Sequence, residues 1–476
     1  MEAVYPGQCA VPVEHDKGVM EAGLFRFLRF SLGLEGEVKD LPDGRQGCFD
    51  WDACYQFAKR QTLVGVLFDG IQRLPKELAP ARPLLLRWLS DSESIRRRNM
   101  RMDRASAYIY NKVCAAGFRC CILKGQGNAL LYPHPSSRIP GDVDLWVMAN
   151  REELRHIALS LTEGDGSSLQ ESLNHIGLTV HGVSVELHST PALLNSPLHN
   201  SRLQKWLKRN ADLQCSNRIA LPNNAGEVAV PTVSFNIIYQ LCHLFHHCFY
   251  EGVGLRQIVD YYFVLKNTDF SGNTDEGAGN TDRDEVLLNT DFTDSTDSSS
   301  GDFEGDGCFL NTDYTDYTDR FSGNTDEGCF LLNTDCADFL DSSSGGLGEV
   351  DSGGALVALQ EELKWLGLWE FAGAVMYVLR EVMGQDEKRM VCAPDERRGR
   401  LLLEEIMAGG NFGHYDERNH FGQGALWHNI QRFRRDWRML RFYPSEALSE
   451  PLFRVCHFLW RWKQKHTGKP KERNRN

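Results

Sequence analysis

No apolar run of about 18 residues or more occurs in the 476-residue sequence, so no membrane span is expected. The N-terminus, MEAVYPGQCAVPVEHDKG, lacks a basic start followed by an apolar stretch, and no secretory signal is expected. The 14 cysteines include no C-x-x-C pair and no zinc-ligand spacing. Cys120 and Cys121 are adjacent, and most of the others lie in apolar surroundings. They read as buried free thiols of a cytoplasmic protein. These absences argue against a transporter, a disulfide-stapled secreted domain and a zinc module. Aromatic residues are missing between Arg96, Arg97, Arg98, Arg101 and Arg104, so that cluster is no stacking platform for single strands and reads as a solvated helix face.

What is present is unevenly charged. The net charge is −13, but residues 269–354 hold seventeen Asp and five Glu against two Arg. That segment therefore carries 20 excess negative charges, and the remainder is +7. A mildly basic body suits a polyphosphate ligand. The acidic segment repeats itself: Phe270–Gly277 returns at Phe321–Gly328, Leu287–Asp291 at Leu331–Asp335, and Asp297–Gly301 at Asp341–Gly345. It lacks the calcium-loop spacing and the glycine-rich nonapeptide, and its composition buries too little apolar area to offset the entropy of ordering. It reads as a disordered insert whose deletion leaves a folded protein. Loss of soluble expression in that deletion would contradict the reading.

Around the insert, helical periodicity prevails. Segments Glu21–Leu34, Asp50–Leu74, Leu84–Ala116, Asn200–Asn210, Val233–Lys266, Ala355–Met383, Leu401–Met407 and Ala425–Arg441 all carry apolar faces. His243, His246 and His247 share neighbouring parts of one helix surface, with Glu251 four residues on. Gly252 and Gly254 end or bend that helix, so satisfied histidines near a cleft are expected rather than a metal site. Arg432, Arg434, Arg435, Arg438 and Arg441 interleave with Trp427, Phe433 and Trp437, yet a solvated amphipathic helix is the expectation. The tail after Trp462 reads as basic and disordered. The chain thus divides into an N-terminal helical region (1–114), a core (115–192), a helical region (193–268), the insert (269–354) and a second helical part with the basic tail (355–476).

The core holds the chemistry. An apolar run from Phe118 ends at Lys124-Gly125, and a short helix is expected over Gln126–Tyr132. After a Pro-rich loop, Gly141–Val147 alternates as a strand, which puts Asp142 and Asp144 on one face. Residues two apart on a strand lie roughly 6.6 Å apart along it. Two carboxylates so spaced can share divalent ions about 3.5–4 Å apart. Val183–His188 alternates likewise, with Glu186 and His188 on one face, and pairs with Ile176–His181 in a hairpin about Gly182. If that strand lies beside the first, Glu186 joins the aspartates, and three such carboxylates require a cation or protons.

This order of strand, Gly-containing turn, helix, Asp-x-Asp strand and a later carboxylate strand resembles the nucleotidyltransferase superfamily that includes DNA polymerase β. It is most similar to a bacterial family known only as uncharacterised nucleotidyltransferases. The residues that carry the resemblance are Leu123–Gly125, Tyr132, Pro133, Arg138, Gly141–Val147 and Val185–His188, followed more weakly by Gly254–Tyr262 and Gly409–Gly413. It implies an α+β fold, a small mixed sheet with helices forming a polymerase β-like core, flanked by N- and C-terminal helical regions. It also implies transfer of an NMP group from an NTP to an acceptor hydroxyl. Asp142, Asp144 and Glu186 would be catalytic and hold two Mg²⁺ ions, with Mn²⁺ as the alternative. Gly125 lets the backbone approach the phosphates, and Lys124 and Arg138 are candidates for phosphate charge. Without that role, Lys124 is a solvent-facing strand end and Arg138 a salt bridge closing its loop. Many superfamily members carry Ser where Gln126 stands, so a hydroxyl contact to phosphate does not carry over; backbone N–H groups at the helix start remain. Arg256 and Asp260 could line the site. The acceptor, whether protein, sugar, small molecule or RNA end, is not specified. A LicD-like phosphocholine transferase, an Asp-x-Asp glycosyltransferase and a catalytically silent binding or antitoxin-like module are the alternatives.

Overall fold

The helices begin where side chains can cap them and stop where the backbone must turn. The computed structural model describes residues 15–36, 49–162, 169–268, 352–416, 418 and 425–467, all within one compact unit. Helix α1 (His15–Ser31) buries Leu24, Phe27 and Leu28. Helix α2 (Trp51–Arg60) starts on Asp50, whose carboxylate accepts from the Ala53 N–H. The helical periodicity expected over Asp50–Leu74 is carried by two helices. Thr62 takes a positive φ of 54° and separates α2 from α3 (Val64–Gln72). Helix α4 (Arg82–Ala115) is the spine, 34 residues long and roughly 50 Å by its rise. It buries Trp88, Ile95, Met102, Ile109 and Val113, whereas Arg97, Arg98, Arg101 and Arg104 lie exposed on its other side.

The sheet follows. Its strands are β1 (Cys120–Leu123), β2 (Val143–Val147), β3 (Gln170–Glu171), β4 (His175–Val180) and β5 (Val183–His188), in the order β1-β2-β5-β4-β3. Helix α5 (Gly125–Ala129) lies between β1 and β2 and is shorter than the expected Gln126–Tyr132. Helix α6 (Arg151–Leu161) crosses from β2 to the later strands and opens with a reciprocal cap between Asn150 and Glu153. Strands β2 and β5 are parallel, and every other pair is antiparallel. The β4–β5 turn places His181 and Gly182 at φ 51° and 72°, the backbone of a tight hairpin. The α+β class with a small mixed sheet is therefore present.

Helix α7 (Pro197–Ser216) leads into a hairpin of β6 (Arg218–Leu221) and β7 (Gly226–Ala229), which the sequence reading did not anticipate. Helix α8 (Val233–Tyr250) then crosses the sheet, and Trp146 stacks on its Phe235 at 5.8 Å. Helix α9 (Leu255–Lys266) follows the glycine-containing break. After the insert come α10 (Ser352–Trp365), α11 (Trp369–Met383), α12 (Glu396–Gly409), α13 (Ala425–Leu440) and α14 (Pro444–Thr467). Phe245 stacks on Phe371 at 4.6 Å, so the helices on either side of the insert pack into one core. Two expectations are corrected here. The chain after Trp462 continues α14 to Thr467, and α13 is not simply solvated on its arginine side: Arg435 donates to the Phe249 carbonyl at 3.4 Å and Arg438 pairs with Glu405 at 3.3 Å, while Phe433 and Trp437 are exposed. The acidic insert lies outside the described residues. Among the described residues no helix is long and apolar enough to cross a membrane.

Candidate active site

Strand β1 ends in a strained turn. Lys124 has φ 38° and Gly125 φ 45°. A Cβ on Gly125 would meet the Asp142 carbonyl oxygen at an ordinary 3.6 Å, so backbone conformation rather than lack of space favours glycine there. The turn returns the Lys124 side chain across β2. Its Nζ stands 3.1 Å from Asp144 Oδ2 and 3.1 Å from His243 Nε2 on α8.

Asp142 immediately precedes β2. Asp144 within β2 is the register partner of Glu186 in β5. Oxygens of Asp142, Asp144 and Glu186 lie within 4.8 Å of one another. His188 Nε2 bridges two of these acids, 3.0 Å from Asp144 Oδ1 and 3.2 Å from Glu186 Oε2. His175 Nε2 stands 3.6 Å from Glu186 Oε1. The site is deep at Asp144, whose side chain is 1% exposed, and opens at Glu186, 29%, and Lys124, 20%.

The charges do not balance on their own. Burial acts to raise the Asp144 carboxyl, but Lys124 and His188 outweigh it and hold it well below the ordinary range. Glu186 is also lowered against burial, chiefly by its hydrogen bond with His188 and by His175. His188 is pushed up to about 9 by the two carboxylates despite burial. Two cations thus offset two acids. Asp142 is the remaining acid, and burial together with Asp144 and Glu186 pushes it up to about 7. Asp144 Oδ2 is buried and faces the Lys124 ammonium at 3.1 Å. An oxygen-rich cluster one positive charge short suits a divalent cation.

The other expected residues are placed as follows. Arg138 is buried and donates from Nε and Nη2 to the two oxygens of Asp260, both at 2.7 Å. Tyr132 adds its hydroxyl to the same carboxylate at 2.7 Å. This is the loop-closing salt bridge, and it leaves only Nη1 of Arg138 unpartnered. Arg256 donates to the Ile139 carbonyl at 2.9 Å, beside the turn that leads to Asp142. Gln126 is buried and its amide is bound to Asp103 of α4. His243 and His247 contact one another at 2.9 Å, and His247 pairs with Glu251 at 3.1 Å. Among the described residues these histidines form no metal-holding group. The Gly409–Gly413 turn packs on the α8–α9 link, with the Phe412 ring 5.1 Å from that of His247. The sequence reading gave no role to His188 or His175. Alternation had already put His188 on the Glu186 face, and counting back through the hairpin about Gly182 places His175 opposite it.

Residues 47–278, which contain every one of the clustered groups, match the model of a family described as an uncharacterised nucleotidyltransferase. Among solved structures, an antigenic nucleotidyltransferase-like protein from Paracoccidioides brasiliensis matches at 16% identity, over 34% of this chain and 75% of that one, with a TM-score of 0.23. A superposition that loose transfers no residue role. No curated protein matches.

Proposed function

We propose that this protein is a metal-dependent nucleotidyltransferase that moves an NMP group from an NTP to a hydroxyl of an acceptor whose identity is open: a protein side chain, a sugar, a small molecule or an RNA end. The observation that carries the reading is the gathering of Asp142, Asp144 and Glu186 within 4.8 Å beside Lys124, inside the region that matches the family. The succession of β1, the Gly125 turn, α5, β2 and β5 also follows the order of a polymerase β-like core.

Asp142, Asp144 and Glu186 would hold Mg²⁺, with Mn²⁺ as a substitute; bound there, the metal neutralises the triphosphate and lowers the pKa of the acceptor hydroxyl. Lys124, kept protonated against burial by Asp144, Asp142 and Glu186, places a fixed positive charge at the triphosphate. Gly125 allows the backbone to approach the phosphates. Glu186, 29% exposed, takes the acceptor proton directly or through water as the hydroxyl oxygen bonds to the α-phosphorus and pyrophosphate leaves. Arg138 acts at one remove: it holds Asp260 and thereby the loop that delivers Asp142.

The test is calorimetric binding of each of the four NTPs, with and without Mg²⁺, to the wild type and to Asp142→Ala/Asp144→Ala. Metal-dependent binding that vanishes in the double variant supports the proposal and names the donor. A folded wild type that binds no NTP but binds CDP-choline or a nucleotide-sugar would move the assignment to those transferases. Failure with all of them would favour a non-enzymatic module.

A further inference from the structure

Glu186 has a second set of neighbours that the proposed reaction does not use. Strands β4 and β5 run antiparallel, and His175 stands directly opposite His188 in their register. The tight turn at His181-Gly182 and the buried Ile176, Leu178 and Val180 fix that register. The two imidazole rings lie 5.2 Å apart, and the Glu186 carboxylate stands between them, Oε1 toward His175 and Oε2 toward His188. One donor atom from each of the three residues lies within 4.8 Å of the other two.

The chemistry of this set differs from that of the aspartate pair. Mg²⁺ takes oxygen ligands, whereas two imidazoles and a carboxylate suit Mn²⁺, Fe²⁺, Co²⁺ or Zn²⁺. We infer that His175, Glu186 and His188 form a second metal site, selective for a divalent transition ion, which shares Glu186 with the Asp142–Asp144 site. The side chain of His188 is 6% exposed and its Nδ1 makes no hydrogen bond, nor does Nδ1 of His175. Neither Nδ1 is engaged, so each ring can carry its proton there; at His188 the proton that Nε2 now donates toward Asp144 and Glu186 is the one an ion must displace. On binding, one proton leaves the His188 Nε2 position, and Asp144 keeps Lys124 as its cation. His175 and Glu186 are 24% and 29% exposed, so an ion can enter and further coordination positions face solvent. The donors all come from the protein. Occupancy should thus need no nucleotide, unlike a Mg²⁺ pair completed by triphosphate oxygens. The inference rests on the nucleotidyltransferase reading only through the shared carboxylate.

The experiment is a Co²⁺ titration of the full chain without nucleotide, followed by visible d–d absorption, with pulsed EPR of bound Mn²⁺ to detect imidazole nitrogen. A single nitrogen-ligated Co²⁺ per chain is expected. His175→Ala and the more conservative His175→Gln, each verified as folded by circular dichroism, should weaken it about tenfold or more. Asp142→Asn should keep the nitrogen signature while losing Mg²⁺-dependent NTP binding. No Co²⁺ spectrum from the folded wild type, or one that neither His175 substitution changes, overturns the inference. Mg²⁺-dependent NTP binding without the Co²⁺ signature would sink this site alone. The Co²⁺ signature in a wild type that binds no NTP would sink the nucleotidyltransferase reading and support this one.

Discussion

Asp144 and Glu186 face each other across the parallel strands β2 and β5, and the Nε2 of His188 lies 3.0 Å from the first and 3.2 Å from the second. The histidine fills in part the place of a cation between two strands that each deliver an acid. With Lys124 on its other oxygen, Asp144 has two positive neighbours. Asp142, two residues earlier, sees mainly like charge and burial. The two aspartates of one Asp-x-Asp motif are therefore unequal, and the inequality is measurable.

Asp142→Asn and Asp144→Asn should move stability in opposite directions. The folded Asp142 carboxyl sits at about 7, above its ordinary 3.8. The unfolded chain thus loses this proton first, and stability falls as pH rises between those values and stays lowered above them. Asp142→Asn removes that penalty. Without metal it should stabilise the protein by on the order of 1–2 kcal/mol at pH 8 and leave it unchanged near pH 4. Asp144→Asn removes the acid paired with Lys124 and one of the two acids that hold His188, and should cost about 3 kcal/mol. Urea denaturation of the metal-free variants checks this, and equal losses at pH 8 would refute the unequal arrangement. Both variants should lose metal-dependent NTP binding.

Arg138 separates a structural role from a phosphate role. Its two hydrogen bonds to Asp260 are buried, so Arg138→Ala takes the paired cation from a buried acid that keeps only the Tyr132 hydroxyl and the charge of Arg256, and should cost about 3–5 kcal/mol. Arg138→Met/Asp260→Leu should recover much of that loss. A direct phosphate contact predicts otherwise: NTP affinity would fall in Arg138→Lys with the melting temperature unchanged.

How much of this was legible in the sequence depends on the range of the signal. The alternations of Gly141–Val147 and Val183–His188 are local patterns that carry Asp142, Asp144 and Glu186, although β2 begins only at Val143 and Asp142 stands just before it. The turn at Gly125 and the hairpin about Gly182 announce themselves through residue type. What was hidden needed pairing between distant segments. Asp260 lies 122 residues beyond Arg138, and nothing local says that they meet. His243 comes to Lys124 only because α8 crosses the sheet. The break between α2 and α3 turns on the positive φ of Thr62, a β-branched residue that ordinarily avoids that region. The β6–β7 hairpin was missed although Asn223 and Asn224, both at positive φ, are the residue type such a turn favours.

Gln126 tests whether a serine would serve better at the start of α5. Its amide donates to Asp103, and both side chains are buried. Gln126→Ser leaves the Asp103 carboxylate without its donor, in surroundings whose burial already raises its pKa. The loss should be about 1–3 kcal/mol in urea denaturation. NTP affinity should not rise. A gain in affinity with unchanged stability would mean that the glutamine side chain was obstructing a phosphate position.

A second buried acid pair offers a control remote from the chemistry. Asp436 on α13 and Glu450 on α14 are 5% and 0% exposed. They share Arg454, whose guanidinium lies 2.8 Å from Glu450 and 3.6 Å from Asp436. Burial, followed by the charge of Glu450 and a hydrogen bond with that acid, pushes the Asp436 carboxyl up to about 7. The sign is that of Asp142: the unfolded chain ionises first, so stability drops between the ordinary 3.8 and about 7 and stays low above. Asp436→Asn keeps the shape and removes the second charge. It should raise the melting temperature at pH 8 by about 2–4 °C and change little near pH 4. Glu450→Gln should not match it, because it removes the acid that Arg454 holds at 2.8 Å and leaves the raised Asp436 carboxyl in place. NTP binding should be untouched in both. If Asp436→Asn melts lower than the wild type at pH 8, the α13–α14 contact relies on the full charge of both acids, and the shared-arginine account of this helix pair fails.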